Sequence, residues 1–304
     1  MTLAYETVDV FTDTAFGGNP LAVVFGAEAL STEAMQVIAR EFNYSETTFV
    51  LPPKDPANTA QVRIFTPTQE VPFAGHPNVG TATVLAWRGH VFGKPVGDRV
   101  LFEEKAGLVP VELMVERGRP VGAILTAPQP FQRGVEVGRD DAAACLGLSP
   151  ERIRLDNHGP VEGSVGLPFV LVELVDRAAL EASRGDTAAM EKRLVGRAAP
   201  DIHGYVRMGG ADTVDIRARM FAPLDGVPED PATGSANAAL MGLIAELDGP
   251  RDGTVALRIA QGVEMGRPSL LEASAERSDG VTTAIRVGGR CVAMMQGEIV
   301  APVG

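Results

Sequence analysis

Apolar and polar positions alternate along much of the first third of the chain, and changes in their period separate strands from helices. Short apolar runs at Leu3–Val10, Ala22–Phe25, Thr47–Leu51, Val62–Phe65, Val100–Glu103, Val109–Val115 and Val121–Leu125 read as strands. Between them, Thr32–Phe42 carries helical spacing with Ser31 placed as its cap, and Asn78–Trp87 follows His76-Pro77 as a proline-opened helix does. The later half repeats the style, with strands at Phe169–Val175, Val214–Phe221, Val255–Ile259, Leu270–Ala275 and Thr282–Val287. Helices fall near Asp140–Leu146, Thr187–Leu194 and Ser235–Leu247. The pattern is α+β with many short strands.

The chain also repeats itself. "RIFTPTQEVP" at Arg63–Pro72 aligns without a gap on "RMFAPLDGVP" at Arg219–Pro228, an offset of 156 residues, with identity at Arg, Phe, Pro, Val and Pro. "GNPLAVV" from Gly18 resembles "GLPFVLV" from Gly166, and "AGLVPVEL" from Ala106 loosely resembles "QGVEMGRPSLLE" from Gln261, in the same order. Three ordered matches point to an internal duplication. The expectation is two related lobes, each of strands wrapped round a helix, meeting at a pseudo-two-fold cleft where a ligand site would sit.

Composition narrows the function. With 304 residues, 45% of them hydrophobic, the chain can bury a substantial core in two domains or one large one. No apolar run approaches the ~20 residues of a membrane span, and "MTLAYETVDVF" lacks the basic and apolar regions of a signal peptide, so a cytoplasmic protein is expected. A formal charge of −12 repels phosphate, which argues against nucleic acid or an anionic membrane and for a small molecule as partner. Cys145 and Cys291 lack metal-ligand spacing and read as small buried apolar residues, so neither a disulfide nor a metal site is expected. No glycine-rich nucleotide loop, H-E-x-x-H or G-x-S-x-G occurs, which removes support for nucleotide, metal and serine-hydrolase chemistry and leaves no cofactor expected.

Candidate chemistry sits where each repeat enters its helix, at "FAGHPNVGTA" and "EDPATGSANAA". At the offset of 156, Asp230 falls opposite Ala74 and His76 opposite Ala232, so each half offers a titratable group close to the other's position. Helix N-termini at Asn78–Gly80 and Gly234–Ala236 would direct unpaired N–H groups and the positive dipole end at an anion. Taken singly, Asp230 reads as a helix cap, His76 as a core histidine satisfied by backbone, and Thr233 and Ser235 as ordinary helix-start residues. Their occurrence together at matching repeat positions favours the functional reading, and glycines at 75, 80 and 234 suit close approach of backbone to a ligand. Glu46 of "NYSETTFVL" lies between a helix and an apolar strand; half buried, its pKa would rise toward a range suited to proton transfer. On residue grounds alone it also reads as a solvent-exposed loop glutamate, and periodicity does not decide between the two. "AFGGNP", ending in Asn19-Pro20, reads as a turn.

These stretches, "VDVFTDTAFGGNPLAVV", "NYSETTFV", "FTPTQEVPFAGHPNVGTA", "EDPATGSANAAL" and "QGVEMGRPS", resemble in order the chief motifs of the PhzF family of phenazine-biosynthesis-like isomerases, from Val8 to Ser269. The resemblance implies a diaminopimelate epimerase-like fold of two pseudo-symmetric lobes, each a mostly antiparallel strand barrel around a central helix. The expected division is 1–118 with about 288–304, and 119–287. It implies cofactor-free isomerisation, in which a base removes an acidified C–H proton from a small carboxylate-bearing substrate and proton return at another carbon shifts a double bond. Trans-2,3-dihydro-3-hydroxyanthranilate or a related acid is the expected substrate. Glu46, His76 and Asp230 would be catalytic, with Asn19, Gly75, Gly234 and Ser235 binding substrate. The assembly expected is a homodimer. The alternatives are a non-catalytic protein that binds or senses a small anion, which would not need Glu46, and an amino-acid epimerase or racemase. A two-thiol racemase is disfavoured because Cys145 and Cys291 lie outside the motifs.

Overall fold

Alternation of inward apolar residues with outward polar ones builds the strands, and two long helices buried on nearly every side fill what the strands enclose. A computed structural model describes residues 1–210 and 212–302. It divides into two compact units, Met1–Thr126 with Gly288–Gly304, and Ala127–Val287. The first break falls after Thr126 rather than at 118, because Arg119–Thr126 pairs back onto the preceding strand and stays with the first unit.

The first unit begins β1 (Thr2–Val10), β2 (Asn19–Phe25), α1 (Thr32–Phe42), β3 (Glu46–Leu51), β4 (Ala60–Phe65), β5 (Glu70–Val71) and α2 (Gly75–Arg88). A small hairpin, β6 (His90–Val91) and β7 (Lys94–Pro95), precedes β8 (Arg99–Glu104), β9 (Gly107–Glu116) and β10 (Arg119–Thr126). Pairings β1–β2–β3–β4–β8–β9–β10 continue to the end of the last strand, β19 (Val281–Val300), which pairs with both β10 and β1 and closes an eight-stranded barrel. Only β2–β3 and β4–β8 are parallel; each such step needs a crossover, which α1 and α2 supply. Where β10 meets β19 the backbones come so close that a Cβ on Gly122 would lie 2.1 Å from the Gly289 carbonyl oxygen.

α2 is the barrel's filling. Every residue from Gly75 to Leu85 is buried, and the helix touches β1, β2, β3, β9 and β10. Full burial of Val79, Val84 and Leu85 contributes ~1.5–3 kcal/mol each. α1 lies elsewhere, packing Met35, Ile38 and Ala39 against Leu3, Val24, Phe49 and Phe65. Its caps are those read from the sequence at the N-terminus, where Ser31 accepts from the Ala34 N–H, and a left-handed Asn43 closes the other end.

The second unit runs β11 (Gln132–Glu136), α3 (Arg139–Cys145), β12 (Val161–Ser164), β13 (Pro168–Glu173), α4 (Arg177–Ala182), α5 (Thr187–Arg193), β14 (Ile202–Arg207) and β15 (Ile216–Ala222). It continues β16 (Val227–Asp230), α6 (Gly234–Asp248), β17 (Gly253–Gln261), β18 (Ser269–Ser278) and the start of β19. β13–β14 and β15–β17 are its parallel pairs, in the places of β2–β3 and β4–β8. α6, buried from Gly234 to Ala245, packs on β12, β13, β17 and β18 as α2 packs on its own strands.

The duplication shows in detail. Arg63 chelates Glu70 through Nε and Nη2 at 2.8 and 2.7 Å, and Arg219 chelates Glu229 at 2.7 and 2.8 Å. Each guanidinium also lies 5.1 Å from a ring centroid, Phe65 in one unit and Phe221 in the other. Arg63 and Arg219 are 156 residues apart, but Glu70 and Glu229 are 159 apart. A one-turn 3₁₀ helix, Pro223–Asp225, occupies the extra three positions. The ungapped register read from the sequence therefore fails before the helices, and the correct match there is "EVPFAGHPN" with "EDPATGSAN". His76 then corresponds to Ser235, not Ala232, and Asp230 to Val71, not Ala74.

Candidate active site

In the first unit the turn after β1 delivers Asn19, fully buried, as the first residue of β2. Gly18 holds a φ of +65°, and a Cβ there would lie 2.4 Å from the Val10 carbonyl oxygen, so only glycine makes this turn. β3, pairing parallel to β2, sets Glu46 opposite Leu21. α2 starts at Gly75, three residues earlier than the sequence suggested, and its first turn carries His76 inward. Asn19, Glu46 and His76 thus come together: the Asn19 Nδ2 lies 3.2 Å, and a Glu46 carboxylate oxygen 3.4 Å, from His76 Nδ1. The Glu46 side chain is 18% exposed, half buried rather than a free loop residue.

Burial pushes the His76 pKa down to about 3, opposed by the Pro20 carbonyl. The ring is neutral near pH 7, so its contact with Glu46 is not an ion pair. The tautomer chooses between partners: an Nδ1–H donates to Glu46, and a bare Nδ1 accepts from Asn19. His76 Nε2 is buried with no hydrogen-bond partner among the described residues. Gly75 precedes this ring, and the N-cap residue Ala74 offers no side-chain cap. Gly80 has a different task from the one its composition suggested, because a Cβ there would lie 2.6 Å from Leu21 and 2.7 Å from Val10. It packs helix on strand.

In the second unit β16 ends at Asp230, opposite Met220 and 5% exposed. Asp230 is not the cap of α6; that position is Thr233, whose hydroxyl donates to Asp230 at 2.5 Å. Gln261, fully buried at the end of β17, ties the turn together. Its Nε2 donates to the Asp230 carbonyl at 2.8 Å and to Thr233 Oγ1 at 3.1 Å, while its Oε1 accepts from the Thr233 N–H at 3.2 Å and Asn237 Nδ2 at 2.7 Å. Asn237 Nδ2 also donates to the Thr233 carbonyl, and neutral His203, its pKa lowered by burial to about 4, reaches Asn237 Oδ1 at 3.2 Å. Gly234 and Ser235, the latter 6% exposed, open the helix behind this network.

Sequence reading missed Gln261, Asn237, His203 and Asp201. The first three are joined only by tertiary packing, since His203 lies on β14, Asn237 on α6 and Gln261 on β17. Asp201 is the counterpart of Glu46: Thr47 opposes Phe65 in β3–β4 as Ile202 opposes Phe221 in β14–β15, so the preceding residues match. Burial, aided by Asp225 and Asp230, pushes the Asp201 pKa up to about 7. The signal that could have found part of this network is the recurrence E-x-P-x-x-G-x-x-N at an offset of 159. Both cysteines are free and buried, with burial raising Cys145 to about 11 and Cys291 to about 12, so they are inert thiols.

Two strand-wrapped helices opening on Gly-x-x-Asn, with titratable groups beside each first turn, define the diaminopimelate epimerase-like class of fold. A hydroxyproline epimerase of Agrobacterium vitis shares that fold at a TM-score of 0.67, 15% identity, and 98% and 91% coverage of the two chains. Within the class, the model of the phenazine biosynthesis-like proteins, PhzC-PhzF, matches residues 8–297, and the chain belongs to that family. A PhzF-family phenazine biosynthesis protein of Bacillus anthracis superposes with a TM-score of 0.87 at 24% identity over 99% of both chains. The trans-2,3-dihydro-3-hydroxyanthranilate isomerase of Pseudomonas chlororaphis is 38% identical over 97% of this chain and 99% of its own length. An uncharacterised isomerase of Mesorhizobium japonicum is 38% identical over 98% and 99%. The protein is accordingly an isomerase. No helix among the described residues is long and apolar enough to cross a membrane.

Proposed function

We propose that this isomerase moves a proton on a small cyclic carboxylate of the trans-2,3-dihydro-3-hydroxyanthranilate type, with Glu46 as the acid/base. The observation that carries the reading is the triplet Asn19–His76–Glu46, a half-buried carboxyl steered by a neutral ring whose position buried neighbours fix. Glu46 takes a proton from the acidified C–H, the electron pair of that bond shifts the double bond, and Glu46 returns the proton at another carbon. Atoms and electrons balance without an oxidant or reductant. His76 orients Glu46 and the substrate's polar groups, and Asp230 orients the substrate's polar groups or assists proton movement, while Gly75 and Asn19 shape the pocket. The N–H groups of Gly234 and Ser235 and the Ser235 hydroxyl hold the carboxylate at the positive end of α6. That end stabilises charge developing beside the carboxylate. The proposal extends to a homodimer and to a cytoplasmic location, the assembly and location expected from the sequence; ultracentrifugation and cell fractionation test both.

The test is proton exchange followed by NMR in deuterated buffer, run beside calorimetric binding. Glu46→Gln keeps shape and binding but lowers turnover by the ~10²–10⁴ of general acid–base catalysis. Turnover that survives the substitution removes Glu46 from the mechanism. Tight binding of such acids by the wild type with no exchange in any of them favours an anion receptor instead.

A further inference from the structure

The internal repeat assigns a residue that neither the motifs nor the site cluster includes. In the first unit β4 runs beside β8 with Ala60 opposite Phe102 and Gln61 opposite Glu103. In the second β15 runs beside β17 with Ile216 opposite Ile259 and Arg217 opposite Ala260. Ala60 and Ile216, like Gln61 and Arg217, are 156 apart, so the next residues along, Glu104 and Gln261, hold the same place. The residues they serve also match, since Asn78 Nδ2 donates to the Ala74 carbonyl at 2.9 Å as Asn237 Nδ2 donates to the Thr233 carbonyl at 3.0 Å. One unit therefore has an amide, and the other a carboxyl, under the first turn of its central helix.

Gln261 works there because it is both acceptor and donor: its oxygen takes the Asn237 Nδ2, and its nitrogen serves the Asp230 carbonyl. A carboxylate only accepts. Both oxygens of Glu104 are buried without a partner at full hydrogen-bond geometry, and the Asn78 side chain is a polar group beside them. As a neutral acid, Glu104 would reproduce both functions of the amide: its carbonyl oxygen would accept from Asn78 Nδ2, and its O–H would donate to the main-chain carbonyl of Val71, which occupies the position of Asp230.

We propose that Glu104 is a positioning residue held as the neutral acid, bracing the first turn of α2, and through it His76, as the Gln261 amide braces α6. Burial favours that form, pushing the Glu104 pKa up to about 8, with Asn78 as the smaller, opposing cause. Charged neighbours do not offset it. Glu103 and Lys105 flank it in the chain and turn to the other face, where Glu103 accepts from the Lys54 and Asp55 N–H groups and Asn58, and Lys105 pairs with Glu70 at 2.7 Å. β9 places Gly107 opposite, and His76 in α2 is neutral.

This inference rests on the acid–base reading only for its effect on turnover; the protonation of Glu104 is measurable without a substrate. Carboxyl ¹³C NMR of the labelled protein, with the Glu104 signal assigned by its loss in Glu104→Gln, should show a titration centred near pH 8. Thermal midpoints of the wild type should fall relative to Glu104→Gln as the pH rises from about 4.5 to about 8. Where the substrate turns over, kcat/KM of the wild type falls about tenfold per unit above that pKa. Glu104→Gln keeps full activity below it and loses that alkaline limb, and Glu104→Ala is impaired at every pH. A Glu104 signal titrating near the ordinary ~4.3, or an alkaline limb unchanged in Glu104→Gln, overturns the proposal.

Discussion

Replacing Gln261 tests how much of the second half-site depends on one buried amide. Gln261→Leu keeps much of the volume and removes four hydrogen bonds. Thr233 Oγ1 keeps Asp230, and Asn237 Nδ2 keeps the Thr233 carbonyl, so those losses are partial. The Thr233 N–H loses the partner it has and is stranded in the interior, a cost of ~1–3 kcal/mol, with ~0.5–1.5 kcal/mol for each of the weaker losses. Relaxation reduces the sum, and ~3 kcal/mol is the expected loss, or a drop of ~6–12 °C in the melting midpoint of a unit this size. Gln261→Glu is the sharper variant, because it copies the arrangement around Glu104. Near pH 5 its carboxyl is neutral and stability approaches wild type. As the pH rises the unfolded chain ionises first, the folded state holds its proton longer, and stability falls. Calorimetry of wild type, Leu and Glu variants from pH 5 to 9 reads all of this. A Leu variant within ~1 kcal/mol of wild type, or a Glu variant whose deficit is independent of pH, would refute the reasoning.

Two further outcomes are expected. Asp201 has its pKa raised to about 7, so between about pH 4 and 7 the unfolded state loses a proton that the folded state keeps, and stability falls as pH rises through that window; Asp201→Asn should flatten this slope in denaturation curves. Gly80→Ala forces a methyl to within 2.6 Å of Leu21 and 2.7 Å of Val10, overpacking that should cost ~1–3 kcal/mol in chemical denaturation, and no loss would mean that α2 can shift.

What the sequence disclosed was what is local. Thr32–Phe42 is visible in its own period and caps, and the place of Glu46 between that helix and an apolar strand is visible too, but its half burial was not, because periodicity leaves a junction residue undecided. The duplication was legible from Arg63 and Arg219, yet its register was misjudged, because a three-residue turn between Arg219 and Glu229 leaves no apolar signature. β19 was read only as Thr282–Val287, since past Gly288-Gly289 its residues lose simple alternation while the hydrogen-bond ladder to β1 and β10 carries on. Gln261 and Glu104 were invisible for a different reason: each is one polar residue at the end of a strand, and its meaning exists only once parallel pairing sets it beneath a helix far away in sequence.

The closing strand of the first barrel carries a consequence for how the protein is made. β1 through β10 leave the ribosome as a sheet lacking one stave, with open edges on β1 and β10, and the missing piece follows the whole of Ala127–Val287. The inserted unit has all its strands before that piece is synthesised. The first unit must wait, holding α2 in an unclosed barrel whose exposed edges invite pairing with a neighbouring chain. Nascent chains should therefore gain protease resistance in the later unit first, and a shortage of chaperones should be felt in the earlier one.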